Sequence, residues 1–184
     1  MTAFTPVTLS TDRLTLRWLE AGDAQAQFAI YCDPECMRYW SSAPWTSLDQ
    51  ADDFYAKTAQ AYADGNGMRF AIILTATGEL IGNCSLHALF PQNRRCETGY
   101  VLSRQHWGHG YAAEAMRALL DFGFTEWQLN RVEADIDPRN TGSARLLTTL
   151  KFKKEGFLPE RWIVGGEVCD TDLYGLLARD WHAS

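Results

Sequence analysis

Two glycines separated by a single residue stand immediately before a run of helix-forming residues, in the segment 105–115, which reads QHWGHGYAAEA. Glycine lets the backbone approach a ligand closely, and the first N–H groups of a helix have no partner within the helix. These features favour binding of an anion, phosphate above all. The stretch from Gly108 to Ala113 also matches the dinucleotide pattern G-x-G-x-x-A, with Glu133 twenty residues further on, so two phosphate-binding interpretations are open.

The composition bounds the class of protein. The 184 residues are enough to build one compact core, and we expect a single domain spanning residues 1–184. Seventeen Lys and Arg against 23 Asp and Glu give a net charge of −6, without a long run of either sign. Such a surface argues against nucleic acid or an anionic membrane as a partner, and it tolerates a cationic substrate better.

Cysteine usage and the start of the chain predict the compartment. The five cysteines are irregularly spaced, with no C-x-x-C pair and no histidine pair at zinc spacing, so we expect reduced thiols and no metal. No apolar stretch approaches the roughly 18 to 20 residues that a membrane span requires. Residues 1–13 do not read as a signal peptide. These features predict a cytoplasmic protein.

Apolar periodicity predicts the element order β-α-α-β-β-β-α-β-α-β-β. Strands are expected at residues 13–18, 68–74, 80–89, 97–102 and 131–136, with a final pair around Gly165 and Gly166. Helices are expected at residues 19–31, from Ser47 to Gly65, from Tyr111 to about Trp127, and in a short segment ending at Leu150. Ser47 and Gln50 have the spacing of a capping box.

This order weakens the dinucleotide interpretation. A dinucleotide-binding fold places its glycines directly after its first strand and then adds further β-α units to a parallel sheet. Here residues 103–106 separate the strand from the glycines, and three neighbouring strands without intervening helices predict an antiparallel meander. About seventy residues follow Ala113, and they end in a hairpin.

Several motifs in the same order resemble one family. The stretches WGHGYAAEAMRALLDFGF, RVEADIDPRNTGSARLL and KFKKEGF are similar to GCN5-related N-acetyltransferases (GNAT), specifically to the RimJ/RimL-like ribosomal-protein N-acetyltransferase branch. TDRLTLRWLEAGD near the start and DTDLYGLLARDW near the end resemble that branch too. The resemblance implies an α/β (α+β) GNAT acyl-CoA N-acyltransferase fold, with a mixed, largely antiparallel sheet of about seven strands and about four flanking helices. It also implies an acyltransferase that uses acetyl-CoA as co-substrate.

The family's phosphate motif, Q/R-x-x-G-x-G/A, fits this chain in two registers, starting at Gln105 or at Trp107. The second register is better, because it places Ala112 at the helix start and because W-G-x-G-Y-A is the usual form in this branch. The resemblance implies that backbone N–H groups of this segment bind the coenzyme A pyrophosphate. The implied coenzyme contacts are Trp107, Gly108, His109, Gly110, Tyr111 and Ala112 at the pyrophosphate, and Val101, Leu102 and Asn140 along the pantetheine arm.

Acetyl transfer to an amine needs a neutral amine, a polarised carbonyl and stabilisation of the departing thiolate. Glu97 opens ETGYVL, which matches the branch's E-x-G-Y, and is the candidate base that takes the amine's proton directly or through water. An ordinary glutamate pKa of about 4.3 is low for a base, so this role requires a pKa raised by partial burial. The alternative is an ordinary ion pair with Arg94 or Arg95.

The segment from Asn140 to Ser143, NTGS, matches the N-x-x-S of this branch. By resemblance, Ser143 lies near the coenzyme sulfur and helps protonate or solvate the thiolate, while Asn140 orients the pantetheine. Both residue types are also favoured as local caps at a helix start, and the two roles are compatible. Backbone N–H groups of residues 100–102 are the candidates for polarising the acetyl carbonyl.

Other reactive or aromatic residues have weaker functional interpretations. Cys96 adjoins Glu97, but strand alternation directs it to the opposite face, so direct attack of the amine on the thioester is favoured over an acetyl-cysteine route. Tyr39, Trp40 and Trp45 lie where GNAT enzymes gate the acceptor, and core packing explains them at least as well. The histidines His87, His106 and His182 lack metal spacing and are expected to be structural or solvated.

The implied acceptor is a primary amine. An α-amine, with a pKa of about 7.7 to 8, is partly neutral at cellular pH and asks less of a weak carboxylate base than a lysine at about 10.4. This favours protein N-termini, amino acids or small amines. A non-catalytic acyl-CoA-binding sensor with the same fold is the alternative function, and a homodimer stays open as an assembly.

Lys151 departs from the family pattern. The branch usually has L-G-F here, with a glycine that ends the helix in a left-handed turn, whereas this chain reads Leu150, Lys151, Phe152. A lysine in that conformation costs about 1 kcal/mol relative to glycine. Either the helix ends differently or the strain is tolerated.

His109 is a second departure, because the branch often has Lys or Arg at this position. A fixed positive charge near the phosphates is thus replaced by an imidazole. We expect His109→Lys to bind coenzyme A more tightly at pH 8, where an imidazole is ordinarily neutral and an ammonium group is not. Isothermal titration calorimetry at pH 8 measures the affinity, and equal affinities would show that charge at residue 109 does not matter.

Overall fold

The computed structural model describes residues 3–182, which form one eight-stranded sheet flanked by six helices. The strands are β1 (Leu9–Ser10), β2 (Leu14–Trp18), β3 (Met68–Leu74), β4 (Leu80–Phe90), β5 (Arg95–Leu102), β6 (Arg131–Ile136), β7 (Lys153–Val164) and β8 (Glu167–Leu177). The helices are α1 (Ala24–Tyr31), α2 (Pro34–Met37), α3 (Asp49–Asp64), α4 (Tyr111–Thr125), α5 (Thr141–Thr149) and α6 (Ala178–His182). Short 3₁₀ turns lie at Ala21–Asp23, Pro91–Asn93 and Arg104–His106.

The sheet has the order β1-β2-β3-β4-β5-β6-β8-β7. Its pairs are antiparallel, apart from β5 and β6, which run parallel and are connected through the crossover helix α4. This confirms the expected mixed, largely antiparallel GNAT-type arrangement. The expected counts of about seven strands and four helices omit β1, α2 and α6. These elements contain two, four and five residues, too few to show a period.

β5 and β6 separate soon after they meet. Their last paired residues are Glu97 and Glu133. From Thr98 to Leu102, β5 pairs only with β4 among the described residues. The other edge of this segment therefore presents main-chain N–H and C=O groups to the space between the strands. We call this space the gap.

α4 packs against the sheet through the face that its periodicity predicts. The buried residues of the helix are Ala115, Met116, Leu119, Leu120, Gly123 and Phe124. Burial of each such leucine contributes about 1.5–3 kcal/mol. Gly123 lets the helix approach β4, because a Cβ at this position would lie 2.9 Å from a methyl carbon of Leu86. The start of α4 is thereby held at a fixed place relative to β5.

α3 follows the predicted helix closely but begins later. It starts at Asp49 rather than at Ser47, and the side-chain oxygen of Gln50 accepts hydrogen bonds from the N–H groups of Thr46 (2.7 Å) and Ser47 (3.2 Å). This is the glutamine half of the predicted capping box. Gly65, with φ of 66°, ends the helix as expected.

Residues 3–182 contain five cysteines, and all are free thiols. Within the same range, no helix combines the length and the apolar character that crossing a membrane would require. No group of three or more His, Cys, Asp or Glu side chains in the described chain is arranged to hold a metal ion.

Lys151 adopts the left-handed conformation that the family pattern reserves for glycine, with φ of 66°. The helix therefore ends as in the family, and the strain is tolerated. The Lys151 ammonium group lies 3.5 Å from the carbonyl oxygens of Asp180 and Trp181, near the end of the chain. This position suits a cation, because carbonyl groups at a helix end carry partial negative charge.

We expect the Lys151→Gly variant to be more stable than Lys151→Ala by about 1 kcal/mol, because both lose the ammonium group and only glycine removes the Cβ from a left-handed backbone. Urea unfolding of the two variants measures the difference. Equal stabilities would mean that residue 151 is not strained in solution.

Candidate active site

Two cavities adjoin the gap between β5 and β6. The larger one, about 620 Å³, extends from the end of β5 past the glycine turn to the start of α5, and we call it the long groove. The smaller one, about 220 Å³, is lined by β6 and the β7–β8 hairpin, and we call it the side pocket. The residues that line both cavities are Arg38, Tyr39, Trp40, Tyr100, Asn140 and Ser143. Molecules bound in the two cavities would therefore meet beside these residues.

The glycine turn adopts a left-handed backbone at both of its glycines. Gly108 and Gly110 have φ of 79° and 81°, in the region that favours glycine, and Gly110 caps the N-terminus of α4. A Cβ at Gly108 would meet no atom within 4 Å, so backbone conformation rather than space requires glycine there. Tyr111 and Ala112 begin the helix and line the long groove. The first-turn N–H groups of a helix lack partners within the helix, so this end of the groove is suited to an anion.

Trp107 ties this turn to the end of β5. Its indole N–H donates a hydrogen bond of 2.9 Å to the carbonyl oxygen of Leu102. The thiol of Cys36 in α2 lies 3.5 Å from the same oxygen. The first contact fixes the glycine turn, and the second fixes α2, relative to the open edge of β5.

Arg13 supports the turn from the other side, and no sequence pattern indicated it. Its guanidinium donates to the carbonyl oxygen of His109 (3.1 Å), lies over the Tyr111 ring (4.6 Å), and pairs with Glu114 in the first turn of α4 (2.6 Å). The His109 side chain is exposed, stacks on Tyr111 and lies outside the groove lining. Arg13 thus brings a fixed positive charge beside the turn, but it lies outside the groove lining and is paired with Glu114, so the expectation about charge at residue 109 stays a prediction.

Main-chain alternation along β5 determines which groups face the gap. The Ser103 N–H donates to the Ile81 carbonyl of the β4 side at 2.8 Å, so in an antiparallel pair the groups of Val101 also face β4. Those of Tyr100 and Leu102 face the gap. Val101 also lines the long groove, although its main-chain groups are directed toward β4.

The loop before α5 is fixed by local hydrogen bonds. The side-chain oxygen of Asn140 accepts from the Ser143 N–H at 3.0 Å, which confirms the predicted cap. Arg139 pairs with Asp137 (2.6 Å) and with Glu167 of β8 (2.5 Å), and the hydrogen bonds from Arg139 lower the pKa of Asp137. The loop that carries Ser143 is thus connected to the hairpin that lines the side pocket.

Tyr100 and Ser143 form the closest side-chain contact at the junction of the two cavities. Their hydroxyl oxygens are 2.6 Å apart. Burial raises the pKa of Tyr100 to about 12, although the hydrogen bond with Ser143 opposes this rise. Sequence reasoning used only the backbone of Tyr100, and the fourth position of E-x-G-Y is the signal that could have drawn attention to its side chain.

Glu97 lies beside the side pocket rather than in its lining. One carboxylate oxygen is 3.7 Å from Nε2 of His87, which does line the pocket. Partial burial, followed by the charges of Asp135 and Glu133, raises the pKa of Glu97. Arg95 pairs with Glu133 at 2.7 Å, and in the described part of the chain neither Arg94 nor Arg95 lies within ion-pair distance of Glu97. The raised pKa is the property that a role as base requires.

His87 lies between Glu97 and the side pocket. The sequence, in which His87 lacks the spacing of a metal ligand, did not indicate this position. Its Nδ1 lies 3.2 Å from the Ser85 hydroxyl. Burial and then the charge of Arg69 lower the pKa of His87 to about 4, so the ring is neutral at pH 7. Cys96 is fully buried in the core on the other face of the strand, which confirms its interpretation as a packing residue.

Of the three aromatic residues between α2 and α3, Tyr39 and Trp40 line the cavities and Trp45 packs in the core. Trp40 lines both cavities and meets the Tyr31 ring edge-on at 5.7 Å. Trp45 stacks on the other side of this cluster, 4.3 Å from Tyr31, and packs against buried residues. The core interpretation fits Trp45, whereas Tyr39 and Trp40 lie at the junction of the cavities.

Comparison with known proteins defines the class. The profile described as Acetyltransferase (GNAT) domain matches residues 13–153. The chain is 41% identical over 174 residues to Bacillus licheniformis "Uncharacterized N-acetyltransferase p20", which covers 95% of this chain and 98% of that protein. The chain therefore belongs to the GNAT acetyltransferase family.

Solved structures agree with this assignment. Spermidine N-acetyltransferase from Vibrio cholerae, in complex with CoA and spermine, superposes with a TM-score of 0.83 and 26% identity, over 93% of this chain and 99% of that one. Mycobacterium smegmatis RimJ, in complex with CoA-disulfide, reaches a TM-score of 0.89 at 24% identity, over 100% and 93% of the two chains. The likeness to RimJ shows the fold.

We expect the Glu97 carboxyl to titrate above the ordinary glutamate range, and Asp135→Asn to lower its pKa by removing a neighbouring negative charge. Carbon-detected NMR of labelled glutamate across pH 3 to 8 measures both values. Because the raised pKa means that the native state holds this proton more tightly than the unfolded state, ionisation opposes folding above the unfolded-state pKa. Glu97→Gln should therefore raise Tm at pH 7 and leave Tm nearly unchanged at pH 3.

Glu126→Gln, on an exposed site after α4, is the matched control for loss of one surface carboxylate. A Glu97 pKa that is insensitive to Asp135→Asn would contradict the electrostatic coupling between the two strands.

Proposed function

We propose that this protein transfers the acetyl group of acetyl-CoA directly to a primary amine. The observation that carries the proposal is the junction of the long groove with the side pocket, where the open edge of β5 and the Ser143 hydroxyl face both cavities. A donor in one cavity and an acceptor in the other would meet there without a covalent enzyme intermediate. Fixing two reactants in this way removes much of the entropic barrier to their reaction.

The long groove fits coenzyme A in chemistry and shape. Its anion site, formed by the turn from Trp107 to Ala112 and by the N-terminus of α4, suits a pyrophosphate. The main-chain groups of Tyr100 and the N–H of Leu102 suit the amides of an extended pantetheine arm, whereas the Leu102 carbonyl already accepts from Trp107 and Cys36. Asn140 lies at the same end of the groove as Ser143. His109 would contribute its backbone to this site, because its side chain is directed elsewhere.

The proposed chemistry assigns one task to each group. Glu97 receives the proton of the acceptor amine, with His87 or a water molecule between the carboxylate and the side pocket. The N–H groups at the gap edge of β5 polarise the acetyl carbonyl. The Ser143 hydroxyl hydrogen-bonds to the sulfur as the C–S bond breaks. An ordinary thiol pKa of about 8.5 makes thiolate departure feasible with this modest help.

The acceptor is proposed to be a small amine, an amino acid or a protein N-terminal α-amine. A pocket of about 220 Å³ suits the end of a slender chain. Asp135 lines this pocket near Glu97, so the local field favours a cationic approach. The Vibrio cholerae relative, described with CoA and spermine, supports an amine as the class of acceptor.

Activity of Glu97→Gln and Ser143→Ala tests the catalytic assignment. We expect Glu97→Gln to lower kcat/KM about 100-fold, as is typical for loss of a general base, and Ser143→Ala to lower kcat about tenfold. A panel of α-amines, polyamines and amino acids is assayed by detection of the free thiol of coenzyme A, with Glu126→Gln as the control.

The outcomes separate the enzyme from a sensor. If both variants turn over every accepted amine at the wild-type rate, the roles of Glu97 and Ser143 are wrong. If the wild-type protein binds coenzyme A in calorimetry but acetylates no amine in the panel, a non-catalytic acyl-CoA sensor is the better description.

A further inference from the structure

The hydroxyl groups of Tyr100 and Ser143 share one short hydrogen bond, and its direction determines what Ser143 can do. The two oxygens are 2.6 Å apart, and either could donate. A serine hydroxyl has one hydrogen and two acceptor lone pairs. If Ser143 donates to Tyr100, it has no hydrogen left for another partner. If Tyr100 donates, the Ser143 hydrogen is free.

We propose that Tyr100 is a positioning residue that donates its phenolic hydrogen to Ser143 Oγ and so directs the Ser143 hydrogen toward the coenzyme sulfur. The inference rests on the proposed function of Ser143 and adds a residue to it. A phenol is a stronger acid than an aliphatic alcohol and is therefore the better donor of the pair. The Ser143 hydroxyl then accepts a hydrogen bond from Tyr100 and donates one to the coenzyme sulfur.

The surroundings hold both hydroxyl groups in place. The Ser143 backbone is fixed by the Asn140 cap at 3.0 Å, and only 9% of the residue is exposed. Tyr100 is anchored in β5 and packs against the main core. Without Tyr100, the Ser143 hydroxyl would be free to rotate and donate to a nearby main-chain carbonyl, as serine side chains commonly do.

Tyr100 does not supply the proton itself. With a pKa raised to about 12, its phenol would lose a proton to a thiolate of ordinary pKa about 8.5 only at an unfavourable equilibrium. The step therefore balances as follows: the N–C bond forms, the C–S bond breaks, the electron pair stays on sulfur, and the amine proton goes to Glu97. Ser143 stabilises the thiolate by a hydrogen bond, and Tyr100 keeps that hydrogen available.

A double-mutant cycle with Tyr100→Phe and Ser143→Ala tests the proposal in the full-length protein. Tyr100→Phe removes only the oxygen, and we expect a fivefold to tenfold loss in kcat with little change in coenzyme A affinity. The double variant should be no slower than Ser143→Ala alone, because Tyr100 acts through Ser143. Tyr174→Phe, a buried tyrosine of β8, controls for the loss of a phenolic oxygen elsewhere.

The pKa of the bound coenzyme A thiol gives a readout that a purely structural role would not change. It is measured from the ultraviolet absorbance of the thiolate in a pH titration of each complex. The wild-type protein should lower this pKa below that of free coenzyme A, and both Tyr100→Phe and Ser143→Ala should raise it again.

Failure of this inference is distinguishable from failure of the proposed function. If Ser143→Ala slows turnover and raises the thiol pKa while Tyr100→Phe changes neither, the positioning role of Tyr100 is overturned and that of Ser143 stands. If the rate losses of the two variants multiply, Tyr100 does not act through Ser143. If Ser143→Ala itself changes nothing, the proposed role of Ser143 fails, and the inference fails with it.

Discussion

The candidate site depends on one edge of β5, where, within residues 3–182, the main-chain groups do not pair with a neighbouring strand. β5 pairs with β6 only as far as Glu97 and Glu133. Beyond this point, β5 forms strand hydrogen bonds with β4 on one side only. Buried main-chain N–H and C=O groups need partners, so such an edge is stable only where solvent or a ligand supplies them. α4 maintains the separation, because it connects the two strands and packs its apolar face on the sheet. Packing of α4 in the core thus helps to hold β5 and β6 apart at the gap.

Local sequence patterns were sufficient to predict the helices and strands whose periodicity extends over many residues. The 15-residue helix α4 shows its apolar face at helical spacing, and β3 and β6 have the bounds that their sequences predict. The glycine turn was predictable because two glycines before a helix mark a special backbone, and both adopt a positive φ. The Asn140 cap was likewise a local contact, spanning three residues.

Contacts between distant residues left no comparable signal. Ser143 meets Tyr100 from 43 residues away, and Glu114 receives the Arg13 backbone N–H from 101 residues away. Strand alternation shows that the main-chain groups of Tyr100 and Leu102 point to the same edge of β5. Whether that edge is open depends on where β6 separates from β5. The raised pKa of Glu97 depends on Asp135 and Glu133 of that neighbouring strand. Sequence alone therefore named Glu97 and Ser143 only by resemblance.

The alternation of main-chain groups along β5 has an evolutionary consequence. In the proposed binding mode, the coenzyme is recognised mostly by backbone, at a strand edge and a helix start, which no single side-chain substitution can remove. In the same proposal, the acceptor meets side chains of β6 and of the β7–β8 hairpin, which line the side pocket. Mutations in the hairpin could then change the preferred amine while the donor site stays intact. A fold of this kind can diversify its substrates without first losing its cofactor.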